Sequence, residues 1–316
     1  MTTYRNALPQ LGEELFLTDG GLETTLIFHN GIDLPHFASF VLMRDEDGTT
    51  ALRGYYESYL DIASKSGTGF ILESPTWRAS ADWGVKLGYD AAALADVNRR
   101  SIELLEHLRE RYADRAGPIV ISGNVGPRGD GYVAGEQMSA DEAAEYHAAQ
   151  IGTFAGTNAD MVCAITLTYA QEAIGIVNAA AAHGIPVVIG FTTETDGRLP
   201  NGQALHDAIE EVDAATNSAA AYFMVNCAHT EHFDDALQAG AHWAGRVRGV
   251  RANASRLSHA ELDEAEELDD GDPGEFGRLY RRLRQRLPQL SVFGGCCGTD
   301  HRHIDEVSTA LCPAAM

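Results

Sequence analysis

Eight short apolar runs, each followed by a polar or glycine-bearing stretch and then a segment of helical period, predict an α/β chain closed as a (β/α)8 TIM barrel. The length agrees: a barrel of about 250 residues fits within 316 and leaves room for three long loops, at 28–50, 128–138 and 255–275. The whole span 1–316 reads as one barrel domain. An open doubly wound sheet is the competing architecture.

The strand-like runs are residues 14–18, 69–73, 119–122, 161–166, 186–191, 221–225, 247–250 and 290–293. Leu52, Tyr55, Tyr56, Tyr59, Leu60 and Ala63 recur at three and four, as do Leu94, Val97, Leu104, Leu105, Leu108 and Tyr112, so each segment is a helix with one buried stripe. Ser139 with Glu142 makes a capping box that opens a helix running to about Phe154. Further helical segments are expected at 171–182, 205–214, 231–239, 276–287 and 301–311. In the 276–287 segment Phe276, Leu279, Tyr280, Leu283 and Leu287 share a face, with five arginines elsewhere. The acidic run 255–275, with nine acidic residues from Glu261 to Glu275, reads as a solvated excursion without a functional role.

Composition is that of a folded chain, 45% hydrophobic and 22% charged. Lys plus Arg number 23 against 46 Asp plus Glu, a formal charge of −23, which repels a polyanion and argues against a nucleic-acid partner. No apolar run reaches the roughly 18 residues a membrane helix needs, and the first residues lack a signal-peptide core. Five cysteines are an odd count and too sparse for a disulfide framework. A cytoplasmic location is expected.

In a barrel, chemistry collects where the strands end at their carboxyl side. Cys227 follows the sixth run, and Cys296 with Cys297 follows the eighth, so three thiols share that rim. Neighbouring side chains of a strand face opposite ways, so the pair meets one metal only in a turn, which Gly294, Gly295 and Gly298 permit. Thiolates select Zn²⁺, and three protein ligands leave one position of a tetrahedron open. Such a site ionises an incoming thiol and makes a sulfur nucleophile. The alternatives are free buried thiols, a redox disulfide, or a structural site closed by His229. Cys163 reads as core, Cys312 as incidental, and His301 with His303 as surface or helix-cap residues.

Asp19-Gly20-Gly21-Leu22-Glu23-Thr24-Thr25-Leu26, Val225-Asn226-Cys227 and Gly294-Gly295-Cys296-Cys297-Gly298-Thr299 with His303-Ile304 resemble the homocysteine S-methyltransferase family from residue 16 to about 308. The resemblance implies a zinc-dependent transferase on a (β/α)8 barrel. It implies Cys227, Cys296 and Cys297 as zinc ligands and Asp19, Gly20 and Gly21 as part of the homocysteine pocket, with Glu73, Trp77 and Asn226 as substrate-binding residues. Four positions depart from the family pattern. Ile165 stands where a glutamate for the acceptor's amino group is usual, and Glu73, Glu23 or Glu194 is a candidate replacement. Pro75 replaces the Asn of a related subgroup, Ala228 replaces a Thr, and Arg78 beside Trp77 would suit a carboxylate-bearing substrate.

The expected reaction is in-line displacement: the zinc-bound thiolate of homocysteine attacks the methyl carbon of a cationic onium donor, giving methionine. Trp77, Trp83 and Tyr169 are candidate aromatic faces for that cation. The donor is expected to be S-methylmethionine-like, then betaine-like. S-adenosylmethionine stays open without a G-x-G-x-x-G turn, and a methyl-corrinoid would need a partner. The same chemistry on another thiol acceptor, a zinc hydrolase and a non-catalytic zinc or thiol sensor are the competing functions.

Overall fold

The computed structural model describes residues 2–237, 240–265 and 267–312. Eight parallel strands close into a barrel in chain order: β1 (Phe16–Leu17), β2 (Gly69–Glu73), β3 (Ile119–Val125), β4 (Met161–Leu167), β5 (Val187–Phe191), β6 (Tyr222–Asn226), β7 (Val247–Ala252) and β8 (Val292–Gly295). Phe16 sits in register with Gly69 on one side and Val292 on the other, which closes the ring. The helices after successive strands are α1 (Glu46–Ser66), α2 (Ala91–Tyr112), α3 (Ala140–Ala155), α4 (Ala170–Ala182), α5 (Leu205–Thr216), α6 (Thr230–Phe233), α7 (Pro273–Arg286) and α8 (His301–Leu311). No described helix is long and apolar enough to cross a membrane.

Local chemistry sets the helix ends. Asp45 opens α1 by accepting the Gly48 N–H at 2.8 Å, and Gly67 ends it at φ +69°. Ser139 and Glu142 form the reciprocal capping box at the start of α3. Asp272 caps α7 by accepting the Glu275 N–H, and Asp300 caps α8 by accepting the Arg302 N–H.

Two apolar layers hold the barrel. The interior is filled by Phe16, Ile71, Val120, Met161, Cys163, Val188, Met224 and Val292, while a larger layer packs the outer strand faces against the helices. Each large side chain so buried contributes roughly 1.5–3 kcal/mol. Gly69 leaves room for the Phe16 ring, which a Cβ would strike. Tyr4 and Leu8 pack against the interior from the N-terminal segment. Asp160 tethers that segment by accepting the Thr3 and Tyr4 N–H groups at 2.9 and 2.8 Å.

Several elements differ from their sequence limits. β1 is confined to two residues because Glu14 is exposed and Leu15 half-buried. β8 begins two residues later than expected and takes Gly294 and Gly295 into the strand. The 231–239 helix reduces to α6, since few apolar side chains there bury, Phe233 and Leu237 among them. Residues 238 and 239 lie outside the described residues. An unanticipated helix, Ala81–Leu87, occupies the loop after β2. The acidic excursion forms a short helix, His259–Asp263, and Glu266 of that run also lies outside the described residues.

Candidate active site

Cys227 leaves β6 at φ +57°, a left-handed conformation that costs a non-glycine residue about 1–2 kcal/mol. Its N–H donates to the Arg251 carbonyl at 3.0 Å. Beyond β5, Thr166 at the end of β4 is also left-handed at φ +63°. Asn226 joins the two: its Oδ1 accepts the Thr166 N–H and its Nδ2 donates to the Thr166 hydroxyl, both at 2.9 Å. Asn226 therefore braces the strand ends and does not line the cleft.

Cys296 and Cys297 stand in a turn after β8. The Cys296 N–H donates to the Ala252 carbonyl, and the Thr299 N–H and hydroxyl fold back on the Cys296 carbonyl at 3.1 and 2.7 Å. The three glycines divide the work differently from the sequence reading. Only Gly298, at φ +78°, makes the turn. Gly294 and Gly295 are strand residues whose missing Cβ atoms give room to Thr18 and Thr299.

The Cys227 sulfur lies 2.7 Å from that of Cys296 and 3.5 Å from that of Cys297, with every cysteine a free thiol. Hydrogen bonds from Cys227 and Cys296 hold Cys297 well below the usual thiol range. Cys227 is pushed up by its bonds to Cys296 and Cys297 and by burial. These are the only three residues of metal-binding type whose ligand atoms all converge within 4.8 Å among the described residues. Three convergent sulfurs, one buried and two half-buried, with Cys297 held toward its thiolate, fit a soft divalent cation. His229 is not among them, because its Nδ1 caps α6 by accepting the Glu231 N–H at 3.3 Å. His303 likewise serves as a cap, its Nδ1 accepting the Asp300 N–H at 3.1 Å.

Beside the thiols opens a cleft of about 80 Å³ lined by Asp19, Gly20, Gly21, Glu23, Glu73, Trp77, Ile165 and Arg251, among others. Arg251, which the sequence reading did not single out, is 5% exposed and spans the cleft floor. Its Nη1 donates to Glu73 at 2.9 Å, its Nη2 to Asp19 at 2.6 Å, and its Nε to the Gly295 carbonyl at 3.2 Å. The second Asp19 oxygen accepts the Tyr55 hydroxyl at 3.0 Å. Burial raises both carboxyls above their usual range, and Arg251 opposes that shift. Burial also pushes Glu23 up to about 7.

The aromatic faces are mostly taken. The Arg78 guanidinium lies 3.9 Å from the Trp77 ring centre and 3.8 Å from that of Trp83, and Lys86 lies 4.0 Å from Trp83. Arg78 is thus stacked between indoles and donates to the Gly129 carbonyl rather than facing the cleft. Tyr169 is outside the cleft lining too, its hydroxyl accepting the Met138 N–H at 3.0 Å. That bond ties down one end of the 128–138 loop. Glu172 ties the other, accepting the Arg128 N–H at 2.7 Å while it bonds His147 at 2.9 Å. Between these anchors Tyr132 brings its hydroxyl to 3.4 Å from the Cys227 sulfur and 3.3 Å from that of Cys297. His259, from the excursion assigned no role, packs on Tyr132 at 4.8 Å and donates to the Cys227 carbonyl at 2.5 Å. Arg251 is visible in the sequence as a basic residue at a strand end. Tyr132 lies in a loop and His259 opens the short His259–Asp263 helix, and neither carries such a signal.

Comparison with known proteins adds independent findings. The family model described as homocysteine S-methyltransferase matches residues 16–311. No curated protein sequence matches the chain. Among solved structures, the homocysteine methyltransferase MmuM from Escherichia coli is similar in its metallated form, with 20% identity over 96% of this chain and 98% of that one at a TM-score of 0.72. Its oxidised form is similar at 22% identity, 97% and 99% coverage and a TM-score of 0.74. At such identities the structures speak for the barrel alone. With a family match over nearly the whole chain, this protein belongs to the homocysteine S-methyltransferase family.

Proposed function

We propose that this enzyme moves a methyl group from a cationic onium donor, S-methylmethionine-like before betaine-like or S-adenosylmethionine, to the sulfur of homocysteine, giving methionine. Cys227, Cys296 and Cys297 would hold one zinc ion. Zinc, when bound, supplies the charge that ionises a thiol near neutral pH. The bond formed is sulfur to methyl carbon, and the bond broken is methyl carbon to the onium atom, which departs as a neutral thioether or amine. The thiol proton passes to solvent, and the donor's positive charge disappears, so the leaving group needs no general acid.

The chain's own residues then bind and align. Asp19, Gly20, Gly21, Glu73 and Trp77 wall the cleft in which acceptor and donor must meet at about 3–3.5 Å. Trp77 keeps contact with that cleft although Arg78 covers one part of its indole. Asn226 acts indirectly by fixing Thr166, next to Ile165 and the thiols. The observation that carries this reading is the convergence of three thiols from β6 and β8 at the mouth of a cleft in a chain of this family. It also disfavours a zinc hydrolase, which would need a histidine or carboxylate ligand beside a general base.

The test incubates zinc-loaded protein with homocysteine and each onium donor and follows methionine by mass spectrometry. Methionine from at least one donor is expected. Zinc content should fall from one equivalent to below a tenth in Cys227→Ser, Cys296→Ser and Cys297→Ser. Full zinc retention in the triple variant, or bound zinc without product from any donor, would overturn the proposal, the latter outcome favouring a sensor.

A further inference from the structure

Three carboxyl groups share the cleft with the thiols. Two of them already have a cation: Arg251 bridges Asp19 and Glu73, and Tyr55 occupies the remaining Asp19 oxygen. Glu194, the third replacement suggested by the sequence, does not line the cleft and faces His259 at 3.5 Å. Ile165 presents only hydrocarbon from β4.

Glu23 differs from all of these. It forms no ion pair among the described residues; its Oε1 accepts the Ser39 hydroxyl at 3.0 Å, the carboxyl also accepts Glu23's own backbone N–H, and the half-buried side chain lines the cleft. Ser39 is itself 2% exposed, so it fixes the carboxylate rather than following it. The turn Leu22–Thr24 that carries Glu23 is fastened to the cysteine turn: the Gly298 N–H donates to the Thr24 hydroxyl at 3.1 Å, and the Gly21 N–H to the Thr299 carbonyl at 3.0 Å. Glu23 and the Cys296–Cys297 pair are thereby parts of one rigid unit. Ionising a carboxyl in such a wall without a countercharge is costly, and a cation entering the cleft offsets that cost.

We infer that Glu23 receives the α-ammonium group of the acceptor while the acceptor's sulfur meets the three cysteines, which makes Glu23 the specificity-determining residue of the acceptor site. The inference rests on the aminothiol acceptor proposed above. It assigns to β1's loop the task that Ile165 cannot perform from β4.

The test compares homocysteine with 4-mercaptobutanoate, which keeps the carbon chain, thiol and carboxylate but lacks the amine. Calorimetric titration of each thiol into zinc-loaded wild type, Glu23→Gln and Glu23→Asp gives the dissociation constants without a donor, and thermal unfolding checks the fold. Glu23→Gln should weaken homocysteine about 10- to 100-fold, the range of one charged hydrogen bond, and leave 4-mercaptobutanoate within about twofold. Glu23→Asp should recover part of the loss, and the KM of the onium donor should stay within about twofold of wild type. An equal loss for both thiols, or a loss confined to the donor, would refute the assignment. Wild type that binds neither thiol would instead bring down the acceptor reading, and the role of Glu23 with it.

Discussion

Arg251 shows how much of this site depends on single charges. It is sealed between Asp19 and Glu73, so Arg251→Met leaves two buried carboxyls facing each other, and a loss of about 3–5 kcal/mol is expected in urea unfolding. Adding Glu73→Gln should restore part of that stability, which a mere cavity at Arg251 would not allow. At Asn226, replacement by Ala removes both bonds to Thr166 and should cost about 1–3 kcal/mol by the same measurement. The three cysteines are legible in the sequence because strand ends of a barrel share one rim. Arg251 is legible only as a basic residue at such an end. Its partners lie 178 and 232 positions away, and no spacing rule reaches that far.

Among elements, the strands and long helices follow the periodicity closely, and the departures fall where burial rather than period decides. Gly294 and Gly295 illustrate this: their composition reads as a turn, yet they extend β8 because Thr18 and Thr299 pack where side chains would stand. The 128–138 loop is the least legible element, since its placement comes from Glu172 and Tyr169 in and beside α4. Tyr169→Phe removes the acceptor for the Met138 N–H. Amide exchange in the loop should accelerate about fivefold or more, the effect of losing about 1 kcal/mol, with protection in β4 unchanged.

For the whole molecule, closure of the barrel was predictable from eight alternations, while the charge of −23 has its own consequence. Like charges spread over one surface repel, and salt screens them over about 10 Å at 0.1 M. Raising NaCl from 20 to 500 mM should therefore increase the Tm by a few degrees, read by calorimetry on the zinc-loaded protein. A Tm that falls with salt would show that the ion pairs at the surface outweigh the repulsion.

The thiols reach one place from β6 and from the turn after β8, 69 positions apart, and Gly21 from the opening strand's loop is bonded to that same turn. During translation, a ribosome that pauses after β7 holds a polypeptide with one of the three sulfurs and an open ring. If the three thiols hold zinc as proposed, metal capture would wait for the final strand, so stalled nascent chains should bind no zinc, and acquisition of the ion would time the moment at which the barrel shuts.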